Sequence, residues 1–178
     1  MNEVVKISDQ LLSIKAIVLD VDGTLTDGSI TIGSNGEEYK SFNVKDGLAI
    51  TLLHKMNITP IIITGRSSNI VSKRCEELNI KHVYQGIKDK RECLDNLLHK
   101  IGLNYSNIAY IGDDINDIQA ASTCSLVFAV ADACKEYKEI AHYISSYKGG
   151  KGAVRECVDW LLNMRKINCI DLYFANAH

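Results

Sequence analysis

The stretch "IVLDVDGTLTDG", residues 17–28, decides how the chain is read. A run of branched apolar residues leads straight into Asp20 and Asp22, with Asp27 close behind. Carboxylates resist leaving water and repel one another, so a core strand that delivers two of them needs a chemical reason. Side chains two apart on a strand point the same way, which predicts that Asp20 and Asp22 face one common space at the strand's carboxyl end. In open parallel sheets, ligands bind at that end. Gly23 allows a sharp turn there and lets backbone N–H groups approach an anion.

Outward from this stretch the chain alternates. "KAIVLD" (15–20), "TPIIIT" (59–64), "HVYQ" (82–85), "NIAYIG" (107–112) and "LVFAV" (126–130) read as strands. Most are continuous apolar runs of strand length, as expected for strands buried on both faces. Between them, 47–56, 68–78 (with Ser67 as its cap), 89–102 (stopped by Gly102), 114–122 and 152–166 read as helices. Strands alternating with helices imply βαβ units. The expected fold is α/β, a Rossmann-like doubly wound, mainly parallel sheet forming one domain over 1–178. One segment breaks the pattern. "GSITIGSNGEEYKSFNV" (28–44) has strand-like flanks around Asn35-Gly36, a hairpin turn signal, and reads as a small β-hairpin inserted above the sheet.

A second strand end also carries acids, in "YIGDDIND": Asp113, Asp114 and Asp117. Asp114 suits a helix cap. Asp20, Asp22 and Asp113 together form a cluster that calls for a cation. With only oxygen donors and no His or Cys at ligand spacing, the cation should be hard, Mg²⁺. Composition narrows the partners. Net charge is −2 and there is no block of like charges, which argues against nucleic acid. No apolar run approaches the ~18 residues of a membrane span, and the first residues lack a secretory pattern. The six cysteines form no CxxC pair, as for free thiols in a reducing cytoplasm.

"DVDGT", "ITG", a lysine opening a helix and "GDDIND" resemble, in order, the four motifs of the haloacid dehalogenase-like phosphohydrolases. "DVDGTLTDG", "FNVKDG", "TGRSS", "GDDIND" and "GGKGAVRE" extend the resemblance over most of the chain, to the subgroup of 3-deoxy-D-manno-octulosonate 8-phosphate phosphatases. That subgroup carries a small hairpin in place of a large cap domain. The resemblance implies Asp20 as nucleophile and Asp22 as general acid, then general base. It implies Mg²⁺ held by the Asp20 carboxylate, the Asp22 main-chain carbonyl and Asp113, with Asp117 acting from behind through Lys90. Thr64 and the Gly65 N–H would bind a phosphoryl oxygen. Lys90 would contact phosphate and nucleophile, with Lys88 two residues away as the alternative. Thr24 departs from the Val more usual in this subgroup.

For the substrate, a sugar acid phosphate, the resemblance implies Arg66 and Arg74 as carboxylate contacts. It also implies a homo-oligomer, a tetramer, in which the Gly-rich joint at 148–152 reaches a neighbouring active site and Lys151 and Arg155 bring positive charge. By its glycines, this joint is expected to be flexible. Segment 148–178 would thus comprise joint, last helix and tail, the final "INCIDLYFANAH" remaining unassigned. Related enzymes act on nine-carbon ulosonate 9-phosphates, and similar domains serve in assembly beside sialic-acid cytidylyltransferases. These two alternatives stay open at the level of sequence.

Overall fold

The computed structural model describes residues 11–175; readings that fall on 1–10 and 176–178 lie outside the described residues. Six strands form one parallel sheet: β1 (Ala16–Leu19), β4 (Thr59–Ile63), β5 (His82–Tyr84), β6 (Ile108–Gly112), β7 (Leu126–Ala129) and β8 (Tyr143–Ile144). Their order is β5-β4-β1-β6-β7-β8, so the first strand made lies at the centre. The order reverses beside β1, which opens a crevice between the carboxyl ends of β1 and β6.

Period-two alternation divides the apolar runs between two cores. Ile17, Leu19, Ile62, Ala109, Ile111 and Phe128 face one side. Ala16, Val18, Ile61, Ile63, Tyr110 and Val127 face the other. The first core is covered by α1 (Val44–Lys55), α2 (Asn69–Glu77) and α6 (Ala153–Met164); the second by α3 (Lys90–Ile101), α4 (Ile115–Ala121) and α5 (Lys135–Ile140). A last helix, α7 (Cys169–Phe174), extends from the first layer. None of the helices in the described residues is long and apolar enough to cross a membrane.

Helix starts follow local chemistry. Asn43, Ser68, Asp89 and Asp114 each accept a backbone N–H at the first turn of α1, α2, α3 and α4. Two expectations shift. The cap of α2 is Ser68, not Ser67, and α1 begins three residues before 47 because Asn43 caps it. Gly102 ends α3 in the left-handed conformation, as expected. The element β8 and the helices α5 and α7, two to six residues long, were too short to show an apolar periodicity.

Between β1 and α1 lies an antiparallel hairpin, β2 (Thr31–Ile32) and β3 (Glu38–Tyr39), turning through Gly36 at φ +86°. It exposes Ile30, Ile32 and Tyr39.

The glycine-rich segment is not a loose joint. Gly149 donates to Asp132 Oδ1 at 2.9 Å and Gly150 to the Thr24 carbonyl at 3.0 Å. Helix α6 starts at Gly152 without a side-chain cap of its own. The buried carboxylate of Asp46 supplies it from α1, accepting the N–H groups of Gly152 (3.2 Å) and Arg155 (2.8 Å). Behind this junction Glu156 accepts from Ser145 Oγ, Ser146 N and Ser146 Oγ. Burial pushes its carboxyl up, but these hydrogen bonds more than offset that and hold it below its ordinary 4.5. A depressed pKa contributes stability above the unfolded value, and the contribution is lost as pH falls through the folded value. Glu156→Gln should therefore lower the unfolding free energy by about 1–2 kcal/mol at pH 7, the scale of charged hydrogen bonds discounted for solvent. Urea titrations at pH 7 and pH 3 should show the difference from the parent shrinking in acid.

Candidate active site

Strand β1 ends at Leu19, one residue earlier than the sequence suggests, and the chain then turns. The Val21 carbonyl accepts the N–H groups of Thr24, Leu25 and Thr26. Alternation therefore stops before Asp22, and the two acids part. Asp20 points into the crevice and is buried; Asp22, partly exposed, turns toward the hairpin. There it pairs with Lys40 and lies 3.9 Å from Arg66 Nε. The common space expected for both side chains belongs to Asp20 alone.

Asp20 is joined in the crevice by groups from three other elements. Lys90, the first residue of α3, places its buried Nζ 2.7 Å from Asp20 Oδ1 and 2.7 Å from Asp117 Oδ1. Asp117, from the first turn of α4, is wholly buried. Its Oδ1 also accepts the Tyr110 hydroxyl at 2.8 Å, and its Oδ2 accepts the Asp113 N–H at 3.2 Å. Asp113 follows β6 and accepts the Thr24 hydroxyl at 3.1 Å. Oxygens of Asp20, Asp113 and Asp117 all lie within 4.8 Å of one another. Gly23, at φ +96°, makes this approach possible, since a Cβ there would overlap the Asp113 carboxylate.

Three carboxylates thus share one ammonium. Burial and the Asp117 charge raise the Asp20 carboxyl against the pull of Lys90. Burial and the charges of Asp20 and Asp117 raise Asp113 as well. For Lys90, burial favours the neutral amine, but the two facing carboxylates more than offset this and raise it. The excess negative charge and the all-oxygen donor set fit a hard divalent cation. Asp113, partly open to the crevice, has a free carboxylate oxygen beyond the one facing Thr24.

The other predicted residues separate into groups. Thr64 is buried at the end of β4, between β1 and β5, and a Cβ on Gly65 would stand 3.7 Å from the Ile87 carbonyl oxygen. Lys90, rather than Lys88, reaches the cluster; Lys88 lines a surface groove with Gly86 and Glu92. Half-exposed Arg66 bonds Glu38 Oε1 at 3.2 Å, beside Asp22. Arg74 does not join them. It pairs with Glu77 at 2.8 Å, stands over the Phe42 ring and lies against Gly47 of α1. Lys151 pairs with Asp27 at 3.3 Å and Arg155 with Asp159 at 2.8 Å, so each positive charge meets an acid of its own chain. Sequence reasoning missed Lys40, Glu38 and Tyr110. Tyr110 hides in an apolar run, and the only trace of the others is the charged "EEYK" on a hairpin strand.

Known proteins carry the same arrangement of chain. The model of the haloacid dehalogenase-like hydrolases matches residues 43–124. The 3-deoxy-D-manno-octulosonate 8-phosphate phosphatase KdsC of Salmonella typhi is 45% identical over 150 residues, 84% of this chain and 80% of that protein. The Yersinia pestis enzyme of the same name is 42% identical over the same shares. The phosphatase of Moraxella catarrhalis, solved with magnesium, phosphate and KDO, superposes with a TM-score of 0.89 at 39% identity, covering 100% of this chain and 99% of that one. The cobalt-bound form from Haemophilus influenzae gives 0.84 at 39% identity, over 88% and 92%. With 45% identity over 84% of its length and a superposition that spans all of it, the chain belongs to the haloacid dehalogenase-like hydrolases, in the family of the 3-deoxy-D-manno-octulosonate 8-phosphate phosphatases.

Proposed function

We propose that the chain is a Mg²⁺-dependent phosphomonoesterase that hydrolyses 3-deoxy-D-manno-octulosonate 8-phosphate to 3-deoxy-D-manno-octulosonate and phosphate, a step in lipopolysaccharide sugar biosynthesis. The observation that carries this reading is the buried Lys90 ammonium bridging Asp20 and Asp117, with Asp113 alongside. It fixes one carboxylate at the mouth of a parallel sheet and favours its ionised form against burial, as an oxygen nucleophile requires. Asp20 attacks phosphorus; the new Asp20–phosphorus bond forms as the bond to the sugar oxygen breaks. Asp22 gives its proton to that departing oxygen. Asp22 then takes a proton from water, which attacks phosphorus, breaks the aspartyl-phosphate bond and frees Asp20. Thr64 and the Gly65 N–H hold a phosphoryl oxygen, and Lys90 offers its remaining donor to the same group.

The Asp20 and Asp113 carboxylates and the Asp22 main-chain carbonyl would hold Mg²⁺, with Asp117 kept in its hydrogen bonds to Lys90 and Tyr110. When bound, the cation neutralises the meeting of carboxylate and phosphate and stabilises charge in the transition state. Arg66 and Lys40 stand beside Asp22, at the side where a sugar carboxylate arrives. The position of Arg74 under α1 favours Arg66 as the carboxylate contact. The exposed Ile30, Ile32 and Tyr39 of the hairpin suit a tetramer in which neighbours cover the crevice, and Lys151 would serve that neighbour only by leaving Asp27. Six free cysteines accord with a cytoplasmic enzyme.

Phosphate release from a panel of eight- and nine-carbon sugar acid phosphates tests the substrate; the eight-carbon 8-phosphate should give the highest kcat/KM. Asp20→Asn should cost at least ~10³ in kcat, the scale for losing a nucleophile. Asp22→Ala should slow the sugar phosphate far more than p-nitrophenyl phosphate, whose leaving group needs little protonation. Equal losses on both substrates would remove Asp22 from the acid's role.

Metal removal gives an independent check. Asp113→Asn relieves carboxylate repulsion, so in chelator it should raise the melting temperature by about 2–4 °C, the shift from roughly 1 kcal/mol in a chain of this size. The parent should gain thermal stability on adding Mg²⁺ and the variant should not. Native mass spectrometry at micromolar concentration should find a tetramer; a fully active monomer would exclude cover by neighbours.

A further inference from the structure

The loop that carries Asp22 is held between two surfaces. On one side Gly23 lies against the Asp113 carboxylate, so closely that a Cβ would overlap it. On the other side lie Gly149 and Gly150. A Cβ on Gly149 would overlap the Gly23 carbonyl oxygen, and one on Gly150 would stand 2.6 Å from the Asp27 nitrogen. Loop and glycine strap are thus stacked backbone to backbone, with no side chain between them to absorb a shift, and the loop's other face meets the Asp113 carboxylate directly.

The strap is fixed from α1. Asp46 is 1% exposed and accepts the N–H groups of Gly152 and Arg155. Asn43, the cap of the same helix, donates its Nδ2 to the Gly150 carbonyl at 3.4 Å. At the far end Gly149 is held by Asp132, and Gly150 donates to Thr24. Asp46 thus spends one oxygen on Gly152, the strap's last residue, and the other on Arg155 in the first turn of α6, tying strap and helix start together. The segments 43–46 and 148–152 therefore form one clamp on the back of the acidic loop.

We propose that Asp46 is a positioning residue for the reaction: through the glycine strap it sets where the loop, and with it Asp22, stands against Asp113. This rests on the reading of Asp22 as general acid. Displacing a catalytic group by about 1 Å can cost up to ~10²-fold, and a displaced acid is missed most where the leaving group is poor. A residue that merely stabilised the fold would, in protein that remains folded, affect good and poor leaving groups alike.

The test compares parent, Asp46→Asn and Asn43→Ser, each as full chain with saturating Mg²⁺ and below its melting temperature. Ser retains the helix cap of α1 but loses the donor to Gly150, and it carries the test if the buried Asn variant does not fold. The readout is the ratio of kcat on the sugar phosphate to kcat on p-nitrophenyl phosphate. Asp46→Asn should lower this ratio about 10-fold, with KM for the sugar phosphate changed less than kcat, and Asn43→Ser should lower it in the same direction. An unchanged ratio in the folded variants would overturn the proposal. Asp22→Ala measured alongside separates the two levels: if it shows no difference between leaving groups, the reading of Asp22 fails; if it does and the clamp variants do not, only the clamp fails.

Discussion

Everything at the crevice depends on one buried ammonium. Lys90 is the only positive charge seen among Asp20, Asp113 and Asp117 in the described residues, and it touches two of the three. Its two 2.7 Å bonds join the start of α3 to the end of the central strand and to the first turn of α4, in the same helical layer. Removing such a partner from a buried network is costly because it leaves uncompensated charge in a poor solvent. The Lys90 charge works against burial and Asp117, which push the Asp20 carboxyl up.

That arrangement explains features that look unrelated in the sequence. Tyr110 alternates to the same side of the sheet as α3 and α4, and its hydroxyl occupies part of Asp117, so that Asp117 has fewer free lone pairs to offer elsewhere. Gly23 lacks a side chain because the space is taken by Asp113. Thr24 ties the first acidic loop to the second through its hydroxyl.

Much of the fold was legible because the strands are buried on both faces and read as unbroken apolar runs. Asp20, Asp113 and Lys90 were legible because each sits at the end of such a run or opens a helix. Asp22 was read as facing the same space as Asp20, whereas it turns toward the hairpin, since periodicity cannot show where a strand gives way to a turn. The pairing of Lys40 with Asp22 was invisible because it depends on how a hairpin folds back over 18 residues. Arg74 and the glycine strap failed for another reason. A helix charge and a run of glycines carry no directional signal, and here tertiary contacts settled both: Phe42 and Glu77 for the arginine, Asp46 and Asp132 for the strap.

The central place of β1 has a consequence for how the chain is made. Its partners are β4 and β6, which pair with it in the registers Ala16↔Thr59 and Ala16↔Ile108. The ribosome therefore releases the most apolar strand first and its second neighbour only after more than half of the chain has emerged. Until then "AIVL" has no complete set of hydrogen-bonding edges, and an unpaired apolar strand invites pairing with another nascent copy. Parallel sheets assembled from such distant segments close slowly, because the loop entropy is spent before the contacts repay it. The acids that end this strand, Asp20 and Asp22, are charged and hydrated throughout that interval. The same two acids thus flank the exposed strand during synthesis, in the manner of gatekeeper charges.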